Sequence, residues 1–350
     1  MSAYPFNQPD YAVSVLMPVR NGGAYLYDAV TSILNQQSVE LELVIIDDHS
    51  TDHACNSLPA DRRIKTVSSP GKGIVAALNH GISVAQFPYI ARMDADDIAA
   101  DHRLHTQLKH LIDHPELDIC GAKVKIFNES NTIAEGYLHY QTWINGLCQP
   151  TEIEREFFVE SCIPHPTALL RRELLEALGG YHDSAWPEDY DLWFRALLDG
   201  AVFGKPDNPD LLHWRDHQQR LSRVDHRYEK QKFLRCKAHY LSRYLRQKGI
   251  EHCHVWGTGP TGLKLHDYLT SSAMPVTGFI DVNAKMRNRR KRGKIVAIAP
   301  QEPALFATQC TSIANSIIVV AVSARGARAR IREYLTSAGQ TESTDFIFAA

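Results

Sequence analysis

The sequence predicts an α/β protein built from two doubly wound units. Three observations predict it. From residue 13 to about residue 100, short apolar runs alternate with segments of helical periodicity, the pattern of a largely parallel sheet wrapped by helices. Each of those runs ends in a polar cluster, and sheets of this kind bind ligands beyond the carboxyl ends of their strands. The alternation resumes near His254, where a glycine-rich turn stands between an apolar run and a helical one. A chain of 350 residues also exceeds one ordinary domain of roughly 100–200 residues.

Taken in order, residues 13–17 read as a strand stopped by Pro18, and residues 25–34 carry apolar side chains at helical spacing. Residues 41–46 form the second strand. It ends in Asp47-Asp48-His49-Ser50-Thr51-Asp52, whose small polar side chains are expected to cap a following helix. A third strand at 64–67, a loop at 68–73 and a helix at 74–85 lead to the strand carrying Asp94. Residues 222–248 turn basic and helical, with Leu234, Ala238, Leu241 and Leu245 on one stripe. That stretch is expected to be a connector. The domains are therefore placed at 1–221, 222–250 and 251–350. In the last of them strands are expected at 276–280 and 316–322, a basic loop between these, and a helix at 327–338.

Composition narrows the function. A hydrophobic content of 44% is that of a globular chain, and a formal charge of −2 gives no reason to expect nucleic-acid binding. Seven scattered cysteines without a Cys-x-x-Cys pair indicate neither a disulfide framework nor a zinc site. Residues 1–10 lack a basic segment followed by an apolar run, and about 18 consecutive apolar residues occur nowhere. A cytoplasmic protein is expected.

Tyr89-Ile90-Ala91-Arg92-Met93-Asp94-Ala95-Asp96-Asp97 is the most informative segment. Three carboxylates crowd onto the end of a short strand, and carboxylate oxygens suit Mg²⁺ or Mn²⁺, which share their remaining positions with water and substrate phosphates. Four motifs occur in order: Val15-Leu16-Met17-Pro18-Val19-Arg20-Asn21, the Asp47–Asp52 cluster, Met93-Asp94-Ala95-Asp96-Asp97, and Pro187-Glu188-Asp189-Tyr190-Asp191-Leu192-Trp193. Together they resemble the family 2 glycosyltransferases, over roughly residues 13–222. The resemblance implies an A-type glycosyltransferase fold, a nucleotide-sugar donor (a UDP-, dTDP- or GDP-sugar), inversion at the anomeric carbon, and a glycan or lipid-linked glycan acceptor in cell-surface polysaccharide synthesis.

The resemblance also assigns residues. Asp94 and Asp96 are expected to hold the metal, with His217, in His213-Trp214-Arg215-Asp216-His217, as a late ligand or phosphate contact. Asp189 matches the catalytic base, with Glu188 and Asp191 as alternatives. Like charge on those two neighbours is expected to raise its pKa, which suits a base. The alternative reading of Asp189 is a cap on the helix expected at 190–198. Pro18, Asn21 and Asp48 are expected around the donor's base and ribose, and Asp94 is expected among the donor-binding residues. Gly71-Lys72-Gly73 and Asn79 are expected to contact the donor. The family usually has glycine where His49 stands. His165, in Ile163-Pro164-His165-Pro166-Thr167, and Asp191 are expected on the acceptor side.

His254-Val255-Trp256-Gly257-Thr258-Gly259-Pro260-Thr261-Gly262 places Gly-x-Gly-x-x-Gly between strand and helix, with Asp281 about twenty residues further on. This is a Rossmann-like pattern, and Gly257, Gly259, Gly262 and Asp281 are nucleotide candidates. With Gly278-Phe279-Ile280-Asp281 it resembles the small Rossmann-like domain at the front of sugar acyltransferases. The runner-up function follows from it: an NAD(P)-dependent oxidoreductase acting through this domain. A non-catalytic nucleotide-sugar-binding protein is the third alternative, against which the set Asp94, Asp96 and Asp189 argues. The basic run Arg287-Asn288-Arg289-Arg290-Lys291-Arg292 and the basic helix before it are expected to meet anionic lipid at the inner face of a membrane.

Overall fold

The computed structural model describes residues 11–130, 132–306 and 315–350. Contacts divide the chain into two units. One runs to Ile153 and resumes at Cys162–His226; the other comprises Glu154–Ser161 and Arg227–Ala350.

Among the described residues, ten strands belong to the first unit: β1 (Ala12–Val19), β2 (Glu40–Asp47), β3 (Ile64–Ser68), β4 (Tyr89–Arg92), β5 (Ile98–Ala99), β6 (Ile119–Cys120), β7 (Val124–Phe127), β8 (Leu169–Arg171), β9 (Phe203–Gly204) and β10 (Leu212–Arg215). Seven form a mixed sheet in the order β3-β2-β1-β4-β8-β6-β9. β1 is buried on both faces, as a central parallel strand requires. Its one hydroxyl, on Ser14, donates to Glu42 Oε1 at 2.6 Å. Helix Tyr25–Leu34 buries Leu26, Ala29, Val30 and Ile33, an i, i+3, i+4, i+7 stripe. Full burial of Leu26, Val30 and Ile33 contributes about 1.5–3 kcal/mol of transfer free energy each.

Register decides where the polar clusters fall. Val19 pairs with Asp47, Asp47 with Ser68, and Leu16 with Arg92, so the parallel strands β1 to β4 release their following loops at one rim. A second, three-stranded sheet, β5-β10-β7, closes on that rim. In it Leu212 pairs with Ala99 and His213 with Ile98. This non-local pairing carries residues 213–217 to the acidic segment after β4.

The second unit holds β11 (His252–Trp256), β12 (Val276–Asp281), β13 (Arg290–Lys291), β14 (Lys294–Ile298), β15 (Ser316–Val320) and β16 (Phe346–Phe348), in the order β13-β14-β12-β11-β15-β16. All neighbours are parallel except the β13–β14 hairpin. The run expected to be a basic loop therefore enters a hairpin, where Arg292 grips Asp267 with Nε and Nη2. β16 escaped the sequence reading, being only three residues long.

The helix expected to be a connector is Lys230–Gln247, and it is built into this second unit. Cys236, Ala238, Leu241 and Leu245 are buried. Lys237, also buried, donates from Nζ to the carbonyls of Val159 at 2.7 Å and Ala349 at 2.9 Å. Glu156 accepts from Arg328 and Arg332, each at 2.6 Å. A buried carboxylate and a buried ammonium tolerate desolvation only with such partners, so the Glu154–Ser161 segment is fixed to the second unit by them.

Candidate functional site

The rim of the first sheet is laced together by its own loops. Asn21 Oδ1 accepts from the Thr51 N–H at 2.8 Å, the Asn21 N–H donates to Ser50 Oγ at 3.0 Å, and the Gly23 N–H to Asp52 Oδ2 at 2.8 Å. No α-helix follows the second cluster, contrary to expectation. Asp47 Oδ1 accepts from the Ser50 N–H and Asp52 Oδ1 from the Ala54 N–H, which turns the chain into a 3₁₀ turn at Ala54–Ser57. His49 has φ 58°. That left-handed conformation explains why glycine is the easier residue at this position.

Asp48 is buried, and both its oxygens accept from the Gly73 N–H at 3.0 Å. Its carboxylate thus anchors the loop before helix Ile74–Val84, while Arg20 Nη1 lies 3.9 Å away. Gly73, at φ 95°, takes a conformation that only glycine adopts without strain. Lys72 beside it is exposed and Pro18 half-buried. Asn79 does not face this loop as a free donor contact. Its Nδ2 donates to the Tyr181 carbonyl and its Oδ1 accepts from the Tyr181 N–H, both at 2.8 Å, so the amide is spent on pinning residues 179–181.

The acidic cluster lies at the end of β4. One oxygen each from Asp94, Asp96 and Asp97 falls within 4.8 Å of the others. His217 Nε2 lies 2.7 Å from Asp96 Oδ2, a contact made across 121 residues by the β5–β10 pairing. Arg215 donates its N–H to Asp97 Oδ1 and its Nε to the Asp96 carbonyl, both at 2.8 Å. Its guanidinium stacks 4.3 Å from the Tyr25 ring centre and 4.7 Å from that of Phe127. Burial, then the neighbouring Asp94 charge, raises the pKa of Asp96, and His217 opposes the rise. Asp97 is raised further by burial and by Asp94 and Asp96, and its Oδ2 is buried with no hydrogen-bond partner among the described residues. Three crowded hard oxygen donors, one of them orphaned, fit a small divalent cation such as Mg²⁺ or Mn²⁺.

Helix Glu188–Leu198 carries the second set of carboxylates. It starts at Glu188 with Pro187 as N-cap, so Asp189 stands inside the first turn and does not cap it. Asp189 Oδ1 accepts from the Tyr190 N–H at 2.7 Å. Burial, then the Glu188 charge, pushes its pKa up to about 8. Asp191 lies on the same first turn. It is buried between Trp186 Nε1 at 2.7 Å and Arg195 Nε at 2.8 Å, which commits it to bracing the helix. Glu188 is fully buried, with Oε1 3.9 Å from His165 Nδ1. His165 Nε2 meets the Tyr181 hydroxyl at 2.8 Å, and burial followed by the Arg92 charge drives its pKa well down.

Arg92 joins the two sets. Only 3% exposed, it donates from Nη2 to Asp94 Oδ1 at 2.5 Å and from Nη1 to the Met93 carbonyl. Its charge also acts on Asp189, where it opposes the rise in pKa. Arg92, Asp97 and Arg215 stand within the sequence motifs without an individual role assigned to them, and Tyr181 is left unmarked. A charged residue inside the apolar run Tyr89-Ile90-Ala91-Arg92-Met93 was the available signal for Arg92. Nothing local marks the other contacts, since they depend on pairing between distant strands.

In the second unit Gly257 has φ 116°, and a Cβ on Gly262 would lie 2.1 Å from the Gly257 carbonyl oxygen. Both glycines are required by tight strand-to-helix packing, whereas around Gly259 there is open space. Asp281 Oδ2 accepts from the Thr258 N–H at 3.1 Å and from the Thr258 hydroxyl, while Oδ1 accepts from the Asn283 N–H. The acidic residue named as a nucleotide candidate thus holds the glycine loop itself.

Comparison with known proteins finds similarity to glycosyltransferases. The profile described as Glycosyl transferase family 2 matches residues 14–179. The O-antigen biosynthesis glycosyltransferase WbnJ of Escherichia coli is 26% identical over 247 residues, covering 68% of this chain and 91% of its own. The UDP-Glc:alpha-D-GlcNAc-diphosphoundecaprenol beta-1,3-glucosyltransferase WfgD of Escherichia coli is 26% identical over 197 residues, 55% of this chain and 72% of its own. Among solved structures, S. aureus TarS 1-349 in complex with UDP-GlcNAc matches with a TM-score of 0.52 at 17% identity, covering 66% of each chain; this likeness is one of fold.

Proposed function

Because residues 14–179 belong to glycosyl transferase family 2, we propose that this chain is an inverting, metal-dependent glycosyltransferase, moving a sugar from a UDP-, dTDP- or GDP-sugar to a glycan or lipid-linked glycan in polysaccharide synthesis. The observation that carries the reading is the separation of two carboxylate sets: Asp94, Asp96 and Asp97 beside His217 after β4, and Asp189 on helix Glu188–Leu198. The lipid-linked acceptor named for WfgD and the O-antigen role named for WbnJ support the acceptor class. Among the described residues no helix is long and apolar enough to cross a membrane.

Inversion needs one displacement and one base. An acceptor hydroxyl oxygen bonds to the anomeric carbon as the carbon–oxygen bond to the diphosphate breaks, and the hydroxyl proton passes to a carboxylate. Asp189 takes that proton. Its raised pKa, about 8, gives it the proton affinity of an effective base near neutral pH. Glu188, fully buried, lies 3.9 Å from His165 and its charge raises the pKa of Asp189. Asp94 and Asp96, with His217, would hold a divalent cation, and such a cation would supply positive charge to a departing diphosphate. Asn21, Pro18 and the Asp48-anchored loop with Lys72 border the donor's base, ribose and phosphates.

Thermal-shift screening of nucleotide-sugars with and without Mn²⁺ tests this reading, since a ligand that binds only the folded state raises Tm. A Tm rise with at least one UDP-, dTDP- or GDP-sugar is expected, larger with Mn²⁺ than with EDTA. NAD and NADP as the only stabilising ligands would replace it with the oxidoreductase.

A further inference from the structure

We propose that the β13–β14 hairpin of the second unit, with the turn that leads into it, is a docking surface for an anionic lipid bilayer. The inference is independent of the glycosyltransferase reading, because it rests on residues of the second unit alone.

From Lys285 to Lys294 the sequence places seven Lys and Arg side chains, and no Asp or Glu stands between Val282 and Gln301. Among the described residues Arg292 alone of these cations meets a carboxylate, gripping Asp267 with Nε at 2.8 Å and Nη2 at 2.7 Å. That grip ties the hairpin to helix Pro260–Ser271. Arg289 Nε and Arg290 Nη1 turn back onto the carbonyls of Lys285 and Gly293, which fixes the turn and leaves both charges uncompensated. Lys291 stands directly opposite Lys294 in the antiparallel pair. Like charges so placed repel and weaken a hairpin. A single lysine would keep a sheet edge from pairing with another; two facing each other cost stability that an anionic partner relieves.

Two apolar side chains accompany the charges. Val282, which opens the turn, is 70% exposed, and Ile295 is 53% exposed. Ile295 pairs with Arg290, so the two share one face of the hairpin. Uncompensated cations beside exposed aliphatic side chains suit the headgroup layer of a bilayer, where cations meet lipid phosphates and apolar groups reach the acyl boundary. A nucleic acid would use the charges and leave Val282 and Ile295 in water. The basic helix Lys230–Gln247, expected from sequence to share the lipid contact, buries its apolar stripe and spends Lys237 on two carbonyls. The hairpin therefore carries the contact.

Co-sedimentation of the full chain with sucrose-loaded vesicles tests it. Binding is expected to vesicles of equal parts phosphatidylglycerol and phosphatidylcholine and not to phosphatidylcholine alone, and it should weaken as salt shortens the Debye length from about 30 Å at 0.01 M to about 8 Å at 0.15 M. Lys291→Gln/Lys294→Gln is expected to lose about 25-fold in affinity, about fivefold for each charge, with no fall in Tm, since the facing charges repel. Ile295→Ser should lose about tenfold with an unchanged salt dependence. Lys230→Gln/Arg243→Gln, the same charge change on the basic helix, should bind like the unaltered chain. No sedimentation with phosphatidylglycerol at low salt overturns the proposal. So does an equal loss in the two double variants, which marks a response to net charge, an unchanged affinity in Ile295→Ser, or tighter binding of single-stranded RNA than of the vesicles at equal phosphate concentration. Should Lys291→Gln/Lys294→Gln fail to fold, acetic-anhydride labelling of the unaltered chain is read instead: phosphatidylglycerol vesicles must protect Lys291 and Lys294 more than Lys230, and equal labelling overturns the proposal.

Discussion

Asp189→Asn is expected to reduce turnover by about 10²–10⁴-fold, the usual contribution of a positioned general base, while donor binding persists. The asparagine keeps the shape and the contact with the Tyr190 N–H and loses only the capacity to accept a proton. A KM for donor close to that of the unaltered chain with a collapsed kcat is the signature of a group acting only in the transition state. In the unaltered chain kcat/KM should rise with pH through about 8, where the free enzyme's Asp189 ionises.

The same substitution carries a stability consequence of opposite sign. Asp189 is a carboxyl whose folded pKa, about 8, exceeds its unfolded value of about 3.9. Between these pH values the folded state binds the extra proton, so stability falls as pH rises from about 4 towards 8. Asparagine never ionises. Asp189→Asn should match the unaltered chain near pH 4 and exceed it above pH 8 by ~1 kcal/mol or more, roughly 2–4 °C in Tm for a domain of this size. Calorimetric scans at both pH values check this. Equal Tm at pH 8.5, with turnover intact, removes Asp189 as the base.

Asp96→Asn should weaken Mn²⁺ binding by at least the ~10–100-fold that loss of an outer partner of a metal site causes. The fall in donor affinity should appear only when Mn²⁺ is present. Asp96 is the pivot because three interactions converge on it: His217 on Oδ2, Arg215 on its carbonyl, and the Asp94 charge beside it. Calorimetry with Mn²⁺ alone, then with the stabilising nucleotide-sugar in Mn²⁺ and in EDTA, separates metal loss from general damage. Equal loss of donor affinity in EDTA would place Asp96 outside the metal site.

The rim of the first sheet was legible because parallel strands have a fixed polarity. Once β1, β2 and β4 are read from their apolar runs, Asn21, Asp48 and Asp94 must emerge at the same edge. His217 was legible only through family resemblance; physically it arrives because Leu212 pairs with Ala99, and a four-residue strand pairing across more than a hundred residues leaves no local trace. Asp48, Asn79, Asp191 and Asp281 show the opposite difficulty. Their residue types suit ligand contacts, yet their side chains close loops or brace a helix. Which polar side chains are spent internally is a property of packing, and periodicity does not encode it. The basic helix Lys230–Gln247 was misjudged for a related reason: its exposed charges suggested a linker, while buried Lys237 and the stripe from Cys236 to Leu245 fix it within the second unit.

The central claim is that one rim of the first sheet holds a divalent cation on Asp94 and Asp96 while Asp189 remains free to take a proton. Anomalous scattering at the manganese edge, from crystals grown with Mn²⁺ and UDP, tests it most directly. The account predicts a peak at coordination distance, about 2.0–2.3 Å, from carboxylate oxygens of the acidic cluster, with Asp189 outside the coordination sphere. A peak bound to Asp189, or none near Asp94 and Asp96 in crystals that hold the nucleotide, would contradict it.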